Sequence, residues 1–153
     1  MSDAKTDPAP WPEGVVEVSE TGAGRFQQSM RLGHHQLIAD EPERVGGTDT
    51  GPGPYELLLA SLGACTSMTI RLYATRKSIP LGHVSVWLNH KRVHVDDATG
   101  EPTQPLERIT REIRLEGDLS DEDRTRLMNI ADRCPVHRTL TGQLEIVTTE
   151  VKA

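Results

Sequence analysis

Between Pro54 and Lys77 the chain carries one long run, PYELLLASLGACTSMTIRLYATRK, in which apolar residues fall on nearly every side of a helix from Leu57 to Leu72. A helix that is apolar all round has no face to give to water, so it belongs at the centre of a fold. Pro54 suits an early helical position, because its missing N–H costs nothing in the first turn. Pro80 guards the far end, since the residue before a proline is pushed out of the helical region. The sequence therefore predicts one central helix with everything else arranged around it. Aromatics make up only 3% of the 153 residues, with a single Phe, so a lone copy would have a thin aliphatic core. A second copy is the natural source of the missing burial.

The segments around that helix read as strands and one further helix. Met1 to Gly14, rich in Pro, Ala and Asp, reads as a loose arm, and a single domain follows over residues 15–153. VVEVSE is a short strand, and Arg25 to Arg31 and His35 to Asp40 are two more, folded about Gly33. The loop EPERVGGTDTGPGP leads into the central helix. LGHVSVWLNHKRVHV alternates through Val84, Val86 and Leu88 as a long strand. A polar turn joins it to LERITREIRLEG, with Ile109, Ile113 and Leu115 in step. Ser120, with Asp123 three residues on, opens a second helix whose apolar stripe is Leu127, Ile130, Ala131 and Cys134. Pro135 stops it, and GQLEIVTTEV reads as a closing strand. The order βββ-α-ββ-α-β is an α+β arrangement.

Several functions are disfavoured on composition. With a net charge of −6 and no Lys/Arg stripe, the chain is unsuited to neutralising phosphates, so no nucleic-acid partner is expected. No membrane partner is expected either. The apolar run from Leu57 to Ile70 is short for a span and is broken by Ser61, Gly63, Ser67 and Thr69. The N-terminus has neither a basic start nor an apolar signal core, which points to a cytoplasmic protein. Two cysteines, Cys65 and Cys134, are too few for a disulfide scaffold, and a reducing compartment keeps them as thiols at rest.

On its helix Cys65 has Ser61, Leu62, Met68 and Thr69 as same-face neighbours, none of them cationic. It lies about three turns past Pro54, beyond the reach of the helix dipole, so a thiolate there needs a cation from elsewhere in the fold. Cys134 sits at the end of the second helix, followed by Pro135, Val136 and His137. Buried cysteine also serves as a small hydrophobe, and spacing alone does not bring the two thiols together.

Two segments, GGTDTGPGPYELLLASLGACTSMTIRLYATRK and LMNIADRCPVHRTLTG, resemble the OsmC/Ohr family of thiol-dependent peroxide reductases, in particular OsmC-like proteins with a CPVH second-cysteine motif. The likeness spans about Gln27 to Ile146. The resemblance implies an intertwined homodimer, with two long central helices wrapped by antiparallel sheets and the active sites at the subunit interface. It implies that Cys65 attacks the outer oxygen of an organic or lipid hydroperoxide and becomes a sulfenic acid. Cys134 then resolves it to a disulfide, and an external dithiol reductant restores the pair, with no cofactor and no metal. The family's thiolate-stabilising arginine has its nearest match in Arg25. The glutamate that holds it has its nearest match in Glu56, displaced by one residue, with Tyr55 in the family's place. Nine steps of about 100° put Glu56 on the opposite side of the helix from Cys65. Glu56 then reads either as a helix-start charge or as a site residue acting across the dimer.

Other motifs carry less. Six histidines include His34, His35, His90, His94 and His137, but none has the spacing of a zinc site with the cysteines. GGTDTGPG lacks the lysine of a phosphate loop and reads as a structural turn. Two alternatives to the enzyme stand: a dimeric protein that binds an apolar ligand with its thiols idle, and a thiol-based peroxide sensor.

Overall fold

A computed structural model describes residues 12–93 and 105–152. The N-terminal arm falls mostly outside these residues, as do His94 and nearly all of the polar turn between the two long strands. The chain divides into two compact units, one through Leu57 and one from Leu58 onward.

The first unit is a three-stranded antiparallel sheet of β1 (Val16–Glu20), β2 (Gln28–Leu32) and β3 (His35–Ala39), with β2 in the middle. β2 and β3 join through a two-residue turn in which Gly33 takes a positive φ of 62°, a conformation a side chain would resist. After β3, Asp40 is buried and organises the glycine-rich loop. Its carboxylate accepts the Thr48 and Thr50 hydroxyls at 2.6 and 3.0 Å, and the amide N–H groups of Glu41, Thr48 and Thr50. The glycines here are required by close approach. A Cβ on Gly47 would lie 1.7 Å from the Glu41 carbonyl oxygen, and one on Gly51 would lie 2.2 Å from that of Ile38.

α1 (Pro54–Arg76) has the expected bounds and begins in the first unit. In the second unit β4 (Leu81–Val93) and β5 (Leu106–Gly117) form an antiparallel pair in which Val84 faces Leu115, Val86 faces Ile113 and Leu88 faces Arg111. α1 lies close against this pair, because Gly63 offers no side chain where Leu88 sits; a Cβ there would be 2.8 Å from the Leu88 methyl. α2 (Asp121–Ala131) starts at Ser120, whose side chain accepts the Asp123 N–H, as the capping pattern requires. The core joins Ile70 and Ala74 of α1, Leu81, Leu115, and Leu127 and Ala131 of α2. Ile70 and Leu127 are fully buried, each worth about 2 kcal/mol of apolar transfer.

Three expectations are corrected. α1 is not buried all round within one chain: only Leu62, Thr66, Ile70 and Ala74 are, a single stripe repeating every four residues. Met68 and Leu72 on other sides stay 70% and 52% exposed, because the described residues of the second unit offer the helix one hairpin and two short helices. Second, Pro135 does more than end a helix. α2 stops at Ala131, and Pro135 opens α3 (Pro135–Thr141) with Cys134 as its N-cap. Third, the closing strand does not form. Residues 143–152 carry no helix or strand, since neither sheet extends a ladder to them, and a strand exists only beside a paired neighbour. The α+β class itself stands.

Candidate functional site

The second unit brings Cys65 and Cys134 together. Cys65, half-buried on α1, and Cys134, fully buried ahead of α3, are both free thiols, placed so that each acts on the other's acidity. The local reason is the break between α2 and α3. Pro135 has no N–H, so the chain leaves α2 and restarts a helix, turning the Cys134 side chain back over the new first turn. Its sulfur accepts the His137 N–H at 3.4 Å. What His137 supplies to Cys134 is thus its backbone amide, and the residue also lines a neighbouring cavity.

The two thiols are held in opposite directions. Burial, reinforced by the hydrogen bond with Cys134, pushes Cys65 up, against the Val136 N–H and the Thr69 hydroxyl. Burial is also the largest single influence on Cys134 and raises it, but the Cys65 thiol, the His137 N–H, the Thr66 hydroxyl and the Val136 N–H together bring it below its ordinary value. The pair therefore titrates as a unit.

A cation stands one hydroxyl away. Arg111 of β5 donates from Nη1 to Thr66 Oγ1 at 2.9 Å and to the Ala131 carbonyl at 3.4 Å, and its Nη2 pairs with Asp132 Oδ1 at 2.6 Å. Its side chain is only 13% exposed. The sequence reading missed this residue, although its signal was present. Ile109, Arg111, Ile113 and Leu115 share one face of β5 by alternation, and an arginine in that apolar phase must reach a buried partner. Beside it a cavity of about 250 Å³ is lined by Leu62, Ile109, Leu140, Arg111, His137 and Glu107 among others. At its edge Glu107 accepts from Arg92 and pairs with His90, contacts that hold its carboxyl below the usual carboxylate range, Arg92 first.

The other two expected residues lie in the first unit. The Arg25 guanidinium stacks over the Phe26 ring at 5.0 Å. Glu56 Oε2 accepts the Gly53 N–H at 2.8 Å, a contact at the start of its own helix, where an acidic side chain suits the unpaired amides. Among the described residues no group of three or more His, Cys, Asp or Glu side chains is placed to hold a metal ion.

The profile described as OsmC-like protein matches residues 47–149. An uncharacterized protein of Haloferax volcanii is 30% identical over 139 residues, which is 89% of this chain and 95% of that protein. Among solved structures, an OsmC-like protein from Mycoplasma pneumoniae superposes with a TM-score of 0.65 at 22% identity, covering 84% of this chain and 86% of that one. An organic hydroperoxide resistance protein OsmC from Legionella pneumophila gives 0.60 at 19% identity, covering 84% and 88%. At these identities the two solved structures speak for the fold.

Proposed function

The chain belongs to the OsmC-like protein family, and on that premise we propose that it is a cysteine-based peroxide reductase acting on organic or lipid hydroperoxides. The observation that carries this reading is the juxtaposition of the Cys65 and Cys134 thiols, in a site where Cys65 retains access to solvent and Cys134 does not. The Cys65 sulfur attacks the outer oxygen of ROOH. The O–O bond breaks, the inner oxygen leaves as ROH with the proton of the Cys65 thiol, and Cys65 becomes a sulfenic acid. The Cys134 thiolate then attacks that sulfur, the hydroxyl leaves as water after taking up a solvent proton, and a disulfide forms. An external dithiol returns both thiols by exchange. Leu62, Ile109 and Leu140 give the adjacent cavity an apolar wall that suits the R group. Arg25 and Glu56 stay in this reading as the proposed thiolate-stabilising arginine and the glutamate that holds it, with Glu56 acting either as a helix-start charge or across the dimer.

The working form is proposed to be a homodimer. Met68 and Leu72 of α1 are left exposed, as are Leu144, Ile146, Val147 and Val151 in a segment that has no ladder of its own. α1 is long and apolar enough to cross a membrane by length and composition. Its buried stripe on the hairpin, and the Arg71 guanidinium donating to the Leu81 and Gly82 carbonyls, support a core helix and a cytoplasmic setting instead.

One equivalent of an organic hydroperoxide added to the reduced protein should yield a Cys65–Cys134 disulfide, seen by mass spectrometry and absent in Cys65→Ser. Two intact thiols after that treatment would overturn the reading in favour of a binding protein for an apolar ligand. Oxidation without sustained turnover under any dithiol would favour a sensor.

A further inference from the structure

We propose that Arg111 is the positioning residue for the second step of the oxidation: it ties the segment carrying Cys134 to the turn of α1 carrying Cys65, so that the two sulfurs are held ready to join. The proposal deepens the peroxidase reading and rests on it for its place in the reaction.

Two distant segments meet at one guanidinium. On one side Nη1 donates to Thr66 Oγ1 at 2.9 Å, and Thr66 is the residue next to Cys65 on α1. On the other side Nη1 donates to the Ala131 carbonyl at 3.4 Å, and Nη2 pairs with Asp132 Oδ1 at 2.6 Å. The Ala131 carbonyl also accepts the Cys134 N–H, at 3.4 Å. Arg111 therefore reaches, by direct contacts, from the neighbour of one cysteine to the carbonyl that holds the backbone of the other.

The break between α2 and α3 needs such a tie. α2 ends at Ala131, and its last carbonyls have no partner further along a helix. Pro135 has no N–H to give them, so Arg111 supplies a donor from β5. Its planar fork fixes acceptors on two segments at once, which a lysine ammonium does not do. The anchor on α1 is firm as well. Thr66 is fully buried, and its own proton goes to the Leu62 carbonyl at 2.7 Å, which leaves a lone pair of its oxygen for Arg111.

In the second step the Cys134 sulfur attacks the sulfur of the Cys65 sulfenic acid. The S–S bond forms, the S–O bond breaks, and the hydroxyl leaves as water once protonated. A second hydroperoxide molecule competes by carrying the sulfenic acid on to the sulfinic acid. Holding the two segments together raises the effective concentration of one sulfur at the other and favours the disulfide.

The test equilibrates the reduced full-length protein with glutathione buffers: protein dithiol and oxidised glutathione give protein disulfide and two reduced glutathiones. Acid quenching and mass spectrometry read the ratio. Arg111→Met should lower the equilibrium constant about tenfold, because the tie no longer prearranges the pair. Asp132→Ala, at a side chain 68% exposed, should lower it several-fold, and Asp132→Asn, which keeps an oxygen acceptor, should restore it. Thr66→Val and Thr66→Ser should behave in the same two ways. A merely structural arginine would lower the urea midpoints of the reduced and oxidised forms alike and leave the equilibrium constant unmoved. That result, or a wild type that forms only mixed disulfides with glutathione, overturns the proposal, and the Asp132 variants decide it even where Arg111→Met fails to fold. No hydroperoxide enters the measurement. These shifts in a protein inert to hydroperoxides would keep Arg111 as the tie and remove the peroxidase, whereas normal turnover with an unmoved constant would do the opposite.

Discussion

Cys65 on α1 and Cys134 ahead of α3 are placed so that each thiol acts on the other, and the two are driven apart in acidity by what surrounds them. The buried member has the amide, hydroxyl and thiol donors that hold an anion. The half-buried member keeps its proton and its access. In the proposed two-step oxidation this division would give each thiol a separate part.

If Cys134 is the resolving partner, Cys134→Ser should leave the Cys65 sulfenic acid without a thiol to condense with. One equivalent of organic hydroperoxide should then give a dimedone adduct on Cys65, and excess peroxide should drive it to the sulfinic acid. Peptide mapping reads both. An unmodified Cys65 under these conditions would sink the assignment of the attacking sulfur.

Met68 is 70% exposed on a helix whose opposite stripe is buried, so it contributes little to the single chain. Met68→Glu should leave secondary structure and thermal unfolding of the chain nearly unchanged but place a charge where a second copy is proposed to pack. Sedimentation should report a shift from dimer to monomer. A wild-type chain that sediments as a monomer at all accessible concentrations would refute the proposed dimer.

Asp40 sits far below its ordinary value of 3.8, chiefly through the Thr48 hydroxyl, with backbone amides adding to it against the opposing effect of burial. A folded carboxyl more acidic than the unfolded one contributes stability above the ordinary carboxylate range, and that contribution is lost as pH falls toward the folded value. Urea unfolding of the wild type should therefore weaken steadily as pH drops below about 4. Asp40→Asn should lower Tm at neutral pH by several degrees and flatten part of that slope. A slope identical to that of the wild type would remove Asp40 from the acid response.

Gly51→Ala should destabilise by about 2 kcal/mol, read as a lower urea midpoint with unchanged m, because its methyl would meet the Ile38 carbonyl rather than a movable side chain. Gly14, at a positive φ but with nothing near its Cβ, is the control for strain without collision.

Local chemistry made much of the fold legible. The bounds of α1 follow from Pro54 and from the run that Pro80 closes, the hairpin at Gly33 from its turn, and the start of α2 from Ser120. The failures have a common cause. Residues 143–152 have strand composition but no neighbour to pair with among the described residues, and pairing is not written in the strand itself. The all-round apolar pattern of α1 gave its need for cover, and a single chain meets that need on one stripe only. Pro135 was read as a stop when it was a start, because proline is compatible with both and only the path of the chain after Ala131 decides between them.

What the sequence by itself determined about this protein is its class, the main helix, the two thiols and, through motifs around them, the family. Those are properties of short segments, set by turn residues, caps and periodicity. What only the tertiary structure decided is that the two thiols come to act on one another and that Arg111 stands beside Thr66. Arg111 reaches Thr66 because β5 lies across α1 in a register that faces Leu88, and the acidity of a thiol is the sum of the dipoles and charges brought within a few ångströms of it. Neighbours of that kind, far apart along the chain, exist only once it has folded.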